Sequence, residues 1–375
     1  MKPIKVAIDI RDLRIAKTGV KTYTEELIKA FKKYAGSEIE FVYLDTSFPV
    51  YTGRNKFFKL IEHIRFTFWK QLLLPIKAKL NGCAIIFCAD FFVPYFKMGM
   101  KTVPVLHDAF FFEYPEHYNK LWLFLFHALG VKAAKKADGI ITPTNYTKHK
   151  IAALSGLNEK KITAIYEGPK SLTNLGNEDL LLSDMLSQQK YILHVGVMEK
   201  RKNIINLLKA YILILKNHPD VKLILVGQFS PKKDMDDQEA IKAFIYENLL
   251  EQNVILPGYV SDDKLHHYYK NALMYVFPSI NEGFGIPILE AFEHGLPVLI
   301  ANNSCLPEIA ADAALSFNPY EPVEIYDKIK MLLEDESLRK DLIKRGYERL
   351  KLFSWTNTAK QTINLFEQII IEKKP

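Results

Sequence analysis

The chain has 375 residues, 49% of them hydrophobic and 25% charged, the balance of a folded soluble protein and not of a disordered or fibrous one. That length exceeds one ordinary core and suits two domains of roughly 150–200 residues with a cleft between them. The net charge of +7 suits an anionic partner without naming it.

No apolar run reaches the roughly 18–20 residues that span a bilayer. The amino terminus, "MKPIKVAIDI", enters alternating apolar residues without the zones of a secretory signal, so a cytoplasmic protein is expected. Cys83, Cys88 and Cys305 are too few and too badly spaced for a disulfide framework or a zinc site, and read as reduced packing residues.

In chain order, "KVAIDI" reads as a strand and "KTYTEELIKAFKKY" as an amphipathic helix, with Tyr23, Leu27, Ile28 and Phe31 at helical spacing. Between them "AKTGVKTY" holds one glycine, Gly19, poised before the helix. This is not a GxGxxG fingerprint and does not argue for a nicotinamide cofactor. The runs "IEFVYL", "CAIIFC", "TVPVLHD" and "DGIITPT" follow, separated by helical segments, which predicts a parallel sheet covered on both faces. His107 and Asp108 come after the third of these strands, where an imidazole would reach into the cleft. A lone histidine is more often structural, and the aspartate beside it shifts the reading toward function.

Residues 54–79 hold seven basic side chains, Arg54, Lys56, Lys59, Arg65, Lys70, Lys77 and Lys79, against one acidic, Glu62. Phe57, Phe58, Ile61, Phe66, Phe68 and Trp69 interleave with them. Such a helix either lies on an anionic membrane or turns its aromatics to the core and its lysines to water; the residues leave both open. No nucleic-acid motif accompanies it.

Regularity is lost around 168–190, and a second alternating series begins at "YILHVGV". The domains are therefore expected at 1–170 and 171–355, with a last helix from 356 to 375 that packs back on the first. Ligands of such sheets gather at the carboxyl ends of the strands. There "MEKRKNIINLLKA" sets Arg201 and Lys202 before a helix, a setting that suits a diphosphate. After the strand "LMYVFPS" the segment "EGFGIPILE" places Glu282 in a loop and Glu290 in the first turn of a helix opened by Pro287. Gly283 and Gly285 let an anion or a sugar approach the backbone N–H groups. The acidic "DMDD" at 234–237 reads as surface.

"EGFGIPILEAFEHGLPV", with "KRKNIINLLKA", "GYVSDDKLHHYYKNA", "TGVKTY" and "LHDAFFFEYPEHY" in order, resembles the retaining glycosyltransferases of family 4, over nearly the whole chain. The resemblance implies a GT-B fold, two Rossmann-like doubly wound domains facing across a cleft, the first for an acceptor and the second for a nucleotide-sugar donor. It implies sugar transfer to an acceptor hydroxyl with retention and without a metal, and no cofactor beyond the GDP- or UDP-sugar co-substrate; with the basic aromatic stretch 54–79, a lipid-linked or polysaccharide acceptor at the inner face of the cell membrane is expected. By the same resemblance Glu290 holds the donor ribose, and Glu282 with the backbone of Gly283, Phe284 and Gly285 faces the sugar and phosphates. Arg201 and Lys202 grip the diphosphate, Gly19 approaches the same phosphate, His107 sits near the reacting bond, and Tyr259 and Val260 lie near the base.

Two departures stand out. Gly196 is followed by Val197 where many members carry arginine, and Gly19 by Val20 where many carry a second glycine. The likeness of "KRKN" and "TGVKTY" to one subgroup implies GDP-mannose as the expected donor, ahead of UDP-sugars and dTDP-rhamnose. A nucleotide-sugar epimerase of the same fold and a non-catalytic nucleic-acid or lipid-binding protein remain as alternatives.

Overall fold

A computed structural model describes residues 3–15, 19–34, 38–53, 55–118, 120–170, 180–230 and 234–371; Arg54 and the side chain of Lys56 lie outside the described part. The chain divides into two compact units, 1–167 with 355–375, and 168–354. The sequence reading put the divisions at 170 and 355.

In the first unit β1 (Ile4–Asp9) pairs in parallel with β2 (Ile39–Leu44) and β3 (Ile85–Cys88), and β3 with β4 (Lys101–Pro104). Leu106 N–H donates to Ile141 O at 2.8 Å, carrying β4 onto β5 (Ile140–Thr142), which pairs with β6 (Ile162–Ala164). The order is β2-β1-β3-β4, with β5-β6 a two-stranded sheet joined to it by a single bridge between Val105 and Ile141. A parallel strand is covered on both faces, so its sequence is apolar throughout, as the fully buried "IIFC" of β3 shows.

Helix α1 (Gly19–Tyr34) buries Tyr23, Leu27 and Phe31, and keeps Lys32 and Lys33 outside. A second helix, α2 (Lys56–Phe68), is capped by Asn55, whose side chain accepts from Phe57 N–H at 2.9 Å. It continues through a π turn at Trp69–Leu73 into α3 (Leu74–Leu80). Trp69, Leu74 and Ala78 of this run pack with Ala7, Ile86 and Cys88 of the sheet.

In the second unit β7 (Tyr191–Val195), β8 (Lys222–Val226), β9 (Val254–Gly258), β10 (Met274–Phe277), β11 (Val298–Ala301) and β12 (Ala314–Phe317) form one parallel sheet, ordered β12-β11-β10-β7-β8-β9. Both sheets are doubly wound. The strand order reverses between β1 and β3 in one unit and between β7 and β10 in the other, and a reversal parts the loops at the strand ends. At the carboxyl ends of β7 and β8 the two chains come so close that a Cβ on Gly227, which has φ +138°, would lie 1.9 Å from Gly196 O.

The helices of this unit that matter for the site are α4 (Ile204–Leu215), α5 (Asp262–Lys270) and α6 (Ile286–Glu293). The last helix, α7 (Trp355–Ile371), belongs to the first unit, where Trp355, Phe366 and Ile369 join the core with Val6, Ile8, Tyr23 and Phe31. Cys83, Cys88 and Cys305 are free and buried.

Candidate active site

In the second unit β7 ends at Val195, and the chain passes Gly196 and turns through a tight 3-10 segment, Lys200–Lys202, before α4. Asn203 takes φ 57° to start the helix and donates its side-chain amide to Pro278 O and Pro319 O, at 3.2 and 2.6 Å. Ile280 N–H donates to Arg201 O at 2.8 Å. These bonds bind the loop after β7 to the loop after β10, so the strand reversal becomes a single polar site.

At its centre Glu282 meets two cations. Arg201 Nη1 lies 2.8 Å from Glu282 Oε2, and Lys202 Nζ lies 2.5 Å from Oε1. Arg201 also donates from Nε to Glu199 at 2.8 Å and from Nη1 to Asn281 O at 3.1 Å. Lys202 sits over the Phe277 ring, 4.8 Å from its centroid.

Burial opposes the charge on Glu282, but Arg201 and Lys202 outweigh it and hold the carboxyl at about 2. Burial also works against Arg201, yet Glu282 and Glu199 drive its pKa up. Lys202 falls below the ordinary lysine value, by burial first, with Glu282 opposing the fall and Arg201 adding to it. Lys202 is thus the cation under strain, sharing Glu282 with an Arg201 that also has Glu199.

The other end of the segment is built differently. Gly285, at φ +104°, precedes α6, so the helix starts at Ile286 with Pro287 in its second position. Glu290 is therefore the fifth residue and lies in the second turn, which corrects the expected first-turn placement. Its carboxylate does not serve the helix end. It is buried and accepts from Tyr269 Oη of α5 at 2.8 Å. Burial raises it to about 7, against the Tyr269 hydrogen bond and the charge of Lys170. Between the two glutamates Phe284 is buried, edge-on to Phe353, and the Cys305 thiol lies 3.2 Å from the carbonyls of both Glu282 and Phe284. Tyr259 is exposed in the turn after β9, and Val260 is half-buried.

Gly19 and His107 belong to the first unit. Gly19 is exposed at the start of α1, with nothing within 4 Å of where a Cβ would stand. His107 Nε2 donates to Ala89 O at 3.0 Å, and Nδ1 lies 3.6 Å from Glu167. Burial lowers its pKa, but the Glu167 carboxylate more than offsets this and raises it.

Beside it, where β1 and β3 part, lies a charged network that the sequence reading missed. Lys70 Nζ is 2.7 Å from both Asp9 and Asp90 and 4.0 Å from Asp12; Arg11 pairs with Glu62 and Asp12. Lys70, expected to face water or lipid, is in fact fully buried, because it neutralises these carboxylates; Trp69, left open between core and membrane, faces the core and donates from Nε1 to Asp9 at 3.1 Å. The "DMDD" run is likewise not a free surface. Asp236 accepts from Ser230 N–H at 3.1 Å, and Met235 O from Lys200 N–H at 3.0 Å, which braces the Arg201 loop from behind. Glu199, Asn281 and Tyr269 have no signal in the sequence; only the fold brings them in.

Residues 184–349 match the family model for glycosyl transferases group 1, and residues 17–169 that for glycosyltransferase family 4. The O-antigen chain mannosyltransferase B of Escherichia coli is 32% identical over 272 residues, covering 71% of this chain and 70% of that protein. The chain belongs to glycosyltransferase family 4. As a member it is a transferase that draws on a nucleotide-sugar donor.

This glycosyltransferase is also 26% identical to the serotype-specific mannosyltransferase WbdA of Escherichia coli, matching 74% of this chain but 35% of that longer protein. Among solved structures it is similar to the sucrose-phosphate synthase of Thermosynechococcus elongatus, with a TM-score of 0.76 and 20% identity over 99% of this chain and 100% of that one. Anabaena HepE in complex with UDP and glucose gives 0.71 and 17% over 97% and 100%. These likenesses establish the GT-B fold.

Proposed function

We propose that this glycosyltransferase moves mannose from GDP-mannose to a lipid-linked or polysaccharide acceptor in cell-surface glycan synthesis, with retention at the anomeric carbon and without a metal ion. Its place of work is the cytoplasm, at the inner face of the cell membrane. The observation that carries the reading is Glu282 held by both Arg201 and Lys202 where β7 and β10 part.

A nucleoside diphosphate leaves with its charge on phosphate oxygens. Arg201 offers paired N–H donors, Lys202 a point charge, and the N-terminus of α6, with the backbone of Gly283 and Gly285, further N–H groups. Charge grows on the diphosphate in the transition state, so these groups act where stabilisation counts for rate. They supply positive charge of the kind a divalent ion would bring. Glu282 is then released toward the sugar, while Glu290, buried against Tyr269, accepts from the ribose hydroxyls. Tyr259 and Val260 stand beside the base. For Gly19 and His107 the assignment to phosphate and sugar rests on the family resemblance.

The mannose preference is supported by the two Escherichia coli relatives, both named mannosyltransferases. A UDP-sugar is the second reading, because HepE was solved with UDP and glucose. Thermal stabilisation measured across GDP, UDP, dTDP and ADP separates the two. GDP is expected to raise the midpoint most, and no shift with any of the four would overturn the donor site itself.

A further inference from the structure

Helices α2 and α3 with the π turn between them form one unbroken run from residue 56 to 80. It is apolar on two sides. Inward, Trp69, Leu74 and Ala78 are buried in the core. Outward, Leu60, Ile64, Phe68, Leu72, Ile76 and Leu80 recur at every fourth position and are exposed, Ile64 at 62% and Leu80 at 82%; Phe57 continues the line at 66%.

In a regular α-helix a four-residue step turns about 400°, so such a row drifts by about 40° per step. The π turn, Trp69–Leu73, follows Phe68, contains Leu72 and closes with Leu74 N–H donating to Trp69 O. Its wider turn winds the row back by about one residue's rotation and so roughly halves the drift of a ridge roughly 30 Å long. A continuous apolar ridge of that length on the surface calls for an apolar partner.

Charge says which partner. Glu62, the sole acidic residue between 56 and 80, is buried and paired with Arg11. Lys59 and Lys79 are exposed beside the ridge, with Arg65 and Lys77 half-buried. The face is therefore apolar with basic borders and no exposed carboxylate among the described residues. An apolar helix face with basic borders suits the headgroup boundary of an anionic bilayer. Gln71 binds Val93 O and Tyr95 N–H, at 3.2 and 2.8 Å, and so fixes alongside the helix the loop that carries exposed Phe96 and Met98.

We propose that the outer face of helix 56–80 docks on an anionic lipid bilayer, with the helix axis in the membrane plane. The inner face carries Lys70 to Asp9 and Asp90 at the carboxyl ends of β1 and β3, so docking holds that end of the sheet near the membrane. The proposal names the partner surface for the lipid-linked acceptor. It rests on that reading for its purpose, and on the ridge for its geometry.

Co-sedimentation of the full chain with vesicles tests it. Binding to phosphatidylcholine and phosphatidylglycerol in equal parts is expected to exceed binding to phosphatidylcholine alone at least tenfold, and to weaken with salt. The double variant Ile64→Ser, Leu72→Ser should lose at least tenfold of that binding, and Lys59→Glu, Lys79→Glu should lose the preference for the anionic lipid. Both should keep the wild-type thermal shift with nucleotide, which shows that they fold and tests the donor site separately. Wild-type protein that stays in solution with anionic vesicles overturns the docking, as does an Ile64→Ser, Leu72→Ser variant that binds them unchanged. A lipid-free dimer dissolved by that variant also overturns it, by assigning the ridge to a second copy of the chain.

Discussion

Glu290 holds its proton to about 7 in the folded chain and to the ordinary 4.5 once unfolded, because burial outweighs the Tyr269 hydrogen bond. In the window between those values the folded state binds more protons, so its stability falls as pH rises. Ribose hydroxyls donate, and they favour the ionised carboxylate. Nucleotide binding is therefore expected to release a proton and to tighten about tenfold between pH 6 and pH 8, as titration calorimetry at several pH values would show. In Glu290→Gln both pH dependences should flatten and binding should weaken; a variant with the wild-type profile would remove Glu290 from the ribose site. Lys202→Ala leaves Glu282 paired with Arg201, so the fold should survive while transfer falls by on the order of 10²–10³. Circular dichroism beside the rate assay separates the two effects.

At the scale of elements, the loops at the strand ends do the positioning, and they tolerate little change. A Cβ on Gly227 would meet Gly196 O at 1.9 Å, and Gly227 holds φ +138°. Gly227→Ala should force the β7 and β8 ends apart, at a cost of at least roughly 1–3 kcal/mol in chemical denaturation, and weaken nucleotide binding through the displaced Arg201 loop. Lys70→Met should cost more, roughly 3–5 kcal/mol, because it strands Asp9 and Asp90 as buried acids without their cation. An unchanged denaturation midpoint would mean that the network is not holding β1 and β3 together.

Strands such as "IIFC" and "YILHV" were legible in the sequence because burial on both faces makes them apolar throughout, and Arg201, Lys202 and Glu282 because strand-loop-helix context limits where they sit. Helix 56–80 was legible as a helix but not by face. Two apolar sides obscure a periodicity, and nothing local marks Lys70 as the buried partner of three aspartates. Glu290 was placed one residue too early in its helix, because the helix begins at Ile286, after the Gly285 cap, and not at Pro287. Tyr269, which donates to Glu290, comes from another helix 21 residues away.

For the molecule as a whole, each unit is wound about its own strand reversal, and each reversal gathers charge. In the first, Lys70 and Arg11 face Asp9, Asp12, Asp90 and Glu62; in the second, Arg201 and Lys202 face Glu282 and Glu199. The second arrangement has cations that a diphosphate can take over, and the central claim stands on it. Transfer from GDP-mannose to a glycan acceptor, followed in the presence of a chelator, tests that claim most directly. The account predicts a product of retained anomeric configuration at an undiminished rate, lost at least a hundredfold in Lys202→Ala. Equal transfer by Lys202→Ala from every nucleotide sugar the wild type accepts would contradict it.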